Sequence, residues 1–298
     1  MKLVLYNAEN FFIDGELSLG PLKKPEAKVI AIKQIVEELC PDILMMLEVG
    51  GLESLETFNT KFLENKYHAK LLKGNSDRGI EMGFLISKNF PFDFELISHR
   101  EKEISYQYQN TTIYSTFSRD ISELRIKKND EIKLIILLVH LKSKWDREGN
   151  DPGGALKRGA EVKGLIEVYQ SLKKSFPKTP IIVSGDFNGS ARRDDFEPEF
   201  APIYSETSLE DALSVLKIGP EDVNTYYQFN RDGKRQGFQL DYIFLDPELQ
   251  NKLIKENSGV YRYNLKADAP FVPPQSIYER ASLPSDHYPV VINLDFLK

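Results

Sequence analysis

The sequence predicts an α/β (α+β) fold, a four-layer sandwich of two mixed β-sheets packed face to face with helices outside. Three observations point there: a strand–helix–strand opening, an excess of strand-like runs over helical ones, and consecutive strands lying between the helical segments. KLVLYN (2–7) is an apolar run that opens the first strand. EAKVIAIKQIVEEL (26–39) repeats its apolar positions with helical period up to Pro41, and DILMMLEV (42–49) is a second buried strand that ends at Glu48. Strand-like runs follow at EMGFLIS (81–87), FDFELIS (92–98), TTIYSTF (111–117) and EIKLIILLVHL (131–141). ALKRGAEVKGLIEVYQSL (155–172) is a long amphipathic helix, after which IIVSGD (181–186) restarts the strand pattern. NTYYQF (224–229) and GFQLDYIFL (237–245) flank Asn230-Arg231-Asp232-Gly233 as a hairpin, and HYPVVINLDF (287–296) closes as a strand.

No internal repeat, low-complexity tract or Pro/Gly/Ser linker interrupts the 298 residues, so one domain over 1–298 is expected. Hydrophobic residues make up 41%, with 18 Phe and 14 Tyr, which supplies a sizeable core and excludes a disordered chain. The single cysteine, Cys40, excludes an internal disulfide and a cysteine-held zinc, and it fits a reducing compartment. No apolar run approaches the roughly 20 residues of a membrane helix, and MKLVLYNAENFF turns polar too soon for a signal peptide. The expectation is a cytoplasmic monomer with no membrane contact. The glycosylation-like triplets at Asn110 and Asn188 carry no meaning in that setting.

Polar residues recur at the strand ends. Asn7 follows KLVLY, Glu48 follows DILMML, His140 follows LIILLV, Asp186 and Asn188 follow IIVSG, Asp241 starts DYIFL, and Asp286-His287 precede YPVVINL. Any one of these alone passes as a strand cap or turn residue. If the fold gathers those ends, however, they form a set of hard oxygen ligands and imidazoles. That set suits hydrolysis assisted by a hard divalent cation, Mg²⁺ or Mn²⁺, and does not suit structural zinc.

The series LYNAEN, MMLEV, VHLKS, SGDFN, LDYIF and SDHYPV resembles the endonuclease/exonuclease/phosphatase superfamily over Asn7 to Val290, and NAENFF resembles the opening of its bacterial, intracellular members. The resemblance implies the deoxyribonuclease-I-like fold. It makes Glu48 the principal metal ligand, helped by Asn7, with Asp186, Asn188 and Asp286 in the same acidic pocket. His287 becomes the base, oriented by Asp241, and His140 contacts the phosphate or protonates the leaving oxygen. Two shorter matches make Glu81 the acid paired with His140, and Arg119, in FSRD, a phosphate ligand.

Departures from the family narrow the reading. Abasic-site endonucleases carry a tyrosine where this chain has Leu137 and lack a histidine at position 140. The lone cysteine and the acid-poor YQYQNTTIY segment do not fit the secreted deoxyribonuclease, with its disulfides and calcium loops. A net charge of −6 argues against broad capture of a polyanion, yet HLKSKWDR, ALKR, SARRDD and DGKRQG place basic residues on loops expected around the pocket. Trp145, Tyr226 and Tyr227 are candidates to stack on bases. His68 and His99 lie outside every motif and read as structural. The favoured reading is a nuclease cutting DNA or RNA with little sequence preference. The alternatives are the same chemistry on a small-molecule or lipid phosphate, and a catalytically silent binding protein.

Overall fold

The opening run is apolar at nearly every position because, in the computed structural model, it lies in the middle of a sheet that is covered on both faces. The structure describes residues 1–13, 23–146, 149, 151–263 and 271–296. The chain begins with β1 (Lys2–Phe11), α1 (Glu26–Leu39) and β2 (Ile43–Val49), then α2 (Gly51–Thr57), β3 (Tyr67–Leu71) and β4 (Glu81–Ser87). Next come β5 (Asp93–Ser98), β6 (Glu103–Tyr108), β7 (Thr111–Thr116), β8 (Ile121–Lys128), β9 (Glu131–His140), α3 (Ala155–Ser175) and β10 (Ile181–Asp186). Small elements follow at β11 (Ala191–Arg192), β12 (Asp195–Phe196), α4 (Ala201–Ser205), β13 (Glu210–Asp211) and α5 (Ala212–Val215). The last stretch holds β14 (Tyr226–Phe229), β15 (Arg235–Phe238), β16 (Asp241–Leu245), α6 (Pro247–Gln250), β17 (Leu253–Val260), α7 (Ile277–Ser282) and β18 (Val290–Leu294). Two six-stranded mixed sheets result, ordered β17-β18-β1-β2-β4-β3 and β13-β16-β10-β9-β8-β5.

Side-chain alternation assigns the layers. Leu3, Leu5, Met45 and Phe84 of one sheet meet Leu124, Ile136, Leu138 and Ile243 of the other in the inter-sheet core. Their neighbours Val4, Tyr6, Leu44 and Met46 turn outward and pack with Val29, Ile32 and Val36 of α1. On the far side Ile135, Leu137, Ile181 and Val183 pack with Val162, Leu165 and Leu172 of α3. Helix α1 stops where expected: Cys40 takes a left-handed conformation, returns its N–H to Val36, and is followed by Pro41, which cannot continue a helix. No helix among the described residues is long and apolar enough to cross a membrane.

Several expected boundaries move. GFQLDYIFL is two strands: β15 pairs with β14 in the expected hairpin, whereas β16 joins the large sheet beside β10. Strands β3, β6, β8 and β17 were not legible. In β8 the charged Glu123 is fully buried, paired to His99 at 2.7 Å and to Arg125, so the charge hid a strand. In β17 the residues Lys255, Glu256 and Asn257 are exposed and polar, which removes the alternation.

Asp211, which caps α5, is buried and bonded to Gln239 Nε2 at 3.1 Å, but its Oδ1 finds no partner, and burial pushes its carboxyl up to about 6. A raised acid contributes stability at low pH that is lost as pH rises through the folded value. Asp211→Asn keeps a good cap and cannot ionise. Relative to wild type, its unfolding free energy should therefore gain on the order of 1–3 kcal/mol between about pH 4 and 7. Parallel stability curves for the two proteins over that range would contradict the assignment.

Candidate active site

The inter-sheet face that is apolar in mid-strand turns polar where the sheets end. Leu134, Ile136 and Leu138 of β9 point into the core, and the next residue of that row is His140. Ile182 begins the same row on β10 and Asp186 ends it; Ile243 and Leu245 continue the row that starts at Asp241 on β16. Strand register sets His140 opposite Asp186 and Asp186 opposite Asp241, so three neighbouring strands present His–Asp–Asp side by side. From the other sheet, Leu3 and Leu5 lead to Asn7 on the facing side. A one-residue slip in any of these strands would turn its polar residue toward a helix layer.

His287 completes the group. Its Nδ1 lies 2.7 Å from Asp241 Oδ2, and its Nε2 lies 3.9 Å from Asp186 Oδ2 and 4.0 Å from Asp286 Oδ1. Ser285 fixes the loop: its Oγ donates to the Asn7 carbonyl at 2.7 Å and accepts the His287 N–H at 3.1 Å. Thr225, fully buried, accepts the N–H of both Leu240 and Asp241 on its Oγ1 and so seats the carboxylate under the ring. Asn7 Nδ2 donates to Asp186 Oδ2 at 3.0 Å, and Asp186 Oδ1 accepts the Asn188 N–H at 2.8 Å.

The two imidazoles have opposite electrostatics. Burial opposes charge on His287, but Asp241, by charge and hydrogen bond, together with Asp186 and Asp286, overrides it and holds the ring well above its ordinary value. His140 is driven well below its ordinary value by burial, then by Arg119 and His287, so it is neutral. Burial and the charge of Asp241 push Asp186 up to about 7, against the opposing pull of His287. One ring is thus a cation-former and the other a neutral N–H donor in the same cleft.

The cleft is a cavity of about 370 Å³. It is lined by the carboxylates Glu9, Glu48, Asp186 and Asp286, the imidazoles of His140 and His287, the guanidiniums of Arg78 and Arg119, and Tyr226, Phe238 and Leu240. Glu9, Asn10, Glu48 and Asn188 all have positive φ (45°, 48°, 59° and 53°), left-handed backbone that is costly outside glycine and here aims these side chains at the cleft. Burial raises the Glu9 carboxyl, and the charges of Asp286 and Glu48 raise it further against Lys24 and Lys28. Carboxylate oxygens of this kind, with no thiolate near, suit a hard divalent cation, and Glu48 and Asp286 line the cavity as groups that could hold one. Asp186, Asp241 and His287 also bring ligand atoms within 4.8 Å of one another. Their hydrogen bonds to one another and to Asn7 engage them as an acid–base set.

Some sequence expectations change. Asn7 is not among the residues lining the cavity; its Oδ1 accepts the Glu9 N–H at 3.1 Å and its Nδ2 donates to Asp186. Glu81 is not joined to His140: its Oε2 accepts the Gly74 N–H at 2.9 Å, away from the cleft. Arg119 lines the cavity, buried, with Nη1 donating to the Leu141 carbonyl at 3.0 Å, and Asn188 Nδ2 donates to the same carbonyl. Tyr227 is buried and Trp145 is exposed but off the cavity, so of the three aromatic candidates only Tyr226 lines it. The basic stretches are largely self-paired: Arg158 lies in α3, buried against Glu197 and Glu199, Arg192 pairs with Asp194, and Arg193 pairs with Glu210. Arg147 lies outside the described residues. Glu9, Arg78, Thr225 and Ser285 were missed. Of these, Glu9 (in NAEN) and Ser285 (in SDH) sat inside motifs already noted.

No family model and no curated protein matches the sequence. Solved structures do match. The human Nocturnin catalytic domain with bound sulfate is 20% identical, covering 100% of this chain and 93% of that one, with a TM-score of 0.61. D. rerio TDP2 complexed with a single-strand DNA product is 14% identical over 98% and 97% of the two chains, TM-score 0.60. An endonuclease/exonuclease/phosphatase family protein from Bacteroides thetaiotaomicron is 17% identical over 98% and 93%, TM-score 0.55. With end-to-end coverage by such structures and the layer order described above, the chain has the deoxyribonuclease-I-like fold shared with the endonuclease/exonuclease/phosphatase proteins.

Proposed function

We propose that the chain is a divalent-metal-dependent phosphodiester hydrolase acting on nucleic acid. The observation that carries this reading is the Asp241–His287 pair, whose Nε2 opens into a cleft lined by carboxylates and two guanidinium groups. His287 acts as the base toward an attacking water. The carboxylates around the ring hold a proton on it at rest, so it serves as base in the form that has lost that proton, and the rate rises with pH. Asp241 holds the ring so that Nδ1 is the bonded nitrogen and Nε2 faces the reactants. Arg119 and one N–H of Asn188 are aimed at non-bridging oxygens, where negative charge builds in the transition state. His140, being neutral, donates a hydrogen bond to the phosphate or the leaving oxygen without adding charge. A cation held by Glu48 and Asp286 would supply phosphoryl polarisation and compensate the clustered carboxylates.

Nucleic acid as substrate is supported by the DNA product held by the D. rerio relative in fold. The self-paired basic loops favour a second reading, the same hydrolysis on a small phosphate ester. A silent binding protein is disfavoured because Glu48, Asp186, Asn188, Asp241, Asp286 and His287 are all present and all but Asp241 line the one cavity.

Excess chelator should abolish hydrolysis of phosphodiesters. Glu48→Gln, which keeps shape and removes charge, should lose most of it while melting within a few degrees of wild type; full activity under either condition would contradict the metal role. His287→Ala should lower kcat by about 10²–10⁴, with Asp241→Asn changing it in the same direction. Steady-state kinetics check both, and wild-type kcat in His287→Ala would remove it as the base.

A further inference from the structure

Resting on the hydrolase reading above, we propose that the cleft takes a compact phosphate ester bearing one flat ring, a terminal or free nucleotide unit, gripped at a single phosphate by Arg78 and Arg119. The interior of a continuous strand is not what it is built to hold.

The first support is where guanidinium groups lack a direct ion-pair partner, although the charges of Glu161, Glu48 and Asp186 bear on Arg119 from further off. Arg119 Nη1 donates to a backbone carbonyl, that of Leu141, and Arg78 Nη2 donates to the amide oxygen of Asn10 at 2.7 Å. Both acceptors are neutral, no ion pair joins either guanidinium to a described carboxylate, and both line the same cavity. They form one anion pole of the size of one phosphate group.

Three further cations of the basic stretches face their own acids, while Lys142 and Arg235 donate to backbone carbonyls. Lys144 sits 2.5 Å from Glu197, Arg192 pairs bidentately with Asp194, and Arg193 pairs with Glu210. A phosphate approaching any of these meets the carboxylate as well as the cation. Glu9, Glu48 and Asp286 line the same cleft and repel a polyanion. Duplex binders typically use about 6–10 phosphate contacts, and no such track is laid out here.

The aromatic and apolar lining explains the ring. Tyr226 is fixed beside the base: Arg280 Nη1 donates to its hydroxyl at 2.7 Å, and its ring lies 5.1 Å from that of His287. Phe238 and Leu240 are only partly buried and turn apolar surface into the cavity beside it. A flat heterocycle attached to the gripped phosphate covers that surface, whereas a bare alkyl or polyol ester leaves it wet.

The test is Mg²⁺-supported hydrolysis of four probes: thymidine 5′-(4-nitrophenyl phosphate), methyl 4-nitrophenyl phosphate, a linear single-stranded oligonucleotide and a covalently closed plasmid. With the aryl esters, water's oxygen bonds to phosphorus, the aryl P–O bond breaks and nitrophenolate leaves with the electron pair. The thymidine ester should be preferred over the methyl ester and the closed plasmid spared, with kcat/KM falling by a log–log salt slope of roughly −1. Cleavage of the oligonucleotide from its ends assigns the ligand to a strand terminus, and its resistance assigns a free nucleotide; both support the proposal. Arg78→Ala should raise KM about tenfold. Phe238→Ala should narrow the thymidine-to-methyl ratio of kcat/KM about tenfold. Nicking of the closed plasmid with a slope of roughly −4 or steeper, or a ratio unmoved in Phe238→Ala, overturns the proposal and leaves the hydrolase reading standing. Failure to hydrolyse any of the four overturns both.

Discussion

The hydrogen bond from Asn7 to Asp186 crosses from one sheet to the other, and the site depends on it. Asp186 is almost fully buried, and Asp241 stands opposite it on the adjacent strand, an arrangement that low dielectric punishes unless both carboxylates are bonded. Asn7, the Asn188 N–H and the charged His287 supply the compensation at Asp186. Asn7 is itself pinned: Ser285, 278 residues away in sequence, donates to its carbonyl and also orders His287. A single asparagine thus ties the first strand, the tenth strand and the last loop into one geometry.

The same crowding sets the chemistry. A carboxylate pair buried beside two imidazoles separates their proton affinities, because Asp241 bonds one ring while Arg119 and the charged His287 bear on the other. The cleft therefore carries one cationic ring and one neutral ring without needing different residue types. Left-handed backbone at Glu9, Asn10, Glu48 and Asn188 stores strain around this centre. The flanking sheets, paired along their lengths and packed on both faces, hold it in place.

Much of this was legible from sequence. Alternation continues past the end of an apolar strand, so a polar residue at the next inward position announces a site: Asn7, His140, Asp186 and Asp241 each obey that rule. The illegible part has physical causes. Glu9 should share Asn7's face on a regular strand, but the left-handed turn at Glu9 and Asn10 re-aims it, and no pattern encodes such a turn. Arg78 lies in an irregular loop before β4, where position is set by tertiary contacts such as Asn10. Glu81 was misread because a short motif match says nothing of the Gly74 N–H that captures its carboxylate. The pairing within the basic loops was not legible because the acids that pair with Lys144 and Arg193 lie 53 and 17 residues away in sequence.

The most direct measurement is a ¹⁵N NMR titration of the histidine rings in chelator-treated protein, with His287 and His140 assigned by substitution. His287 should remain doubly protonated well above the ordinary imidazole range, with its Nδ1–H hydrogen-bonded and its pKa falling in Asp241→Asn, while His140 stays neutral well below that range. Two rings titrating together near about 6.5, or in the reverse order, would contradict the arrangement.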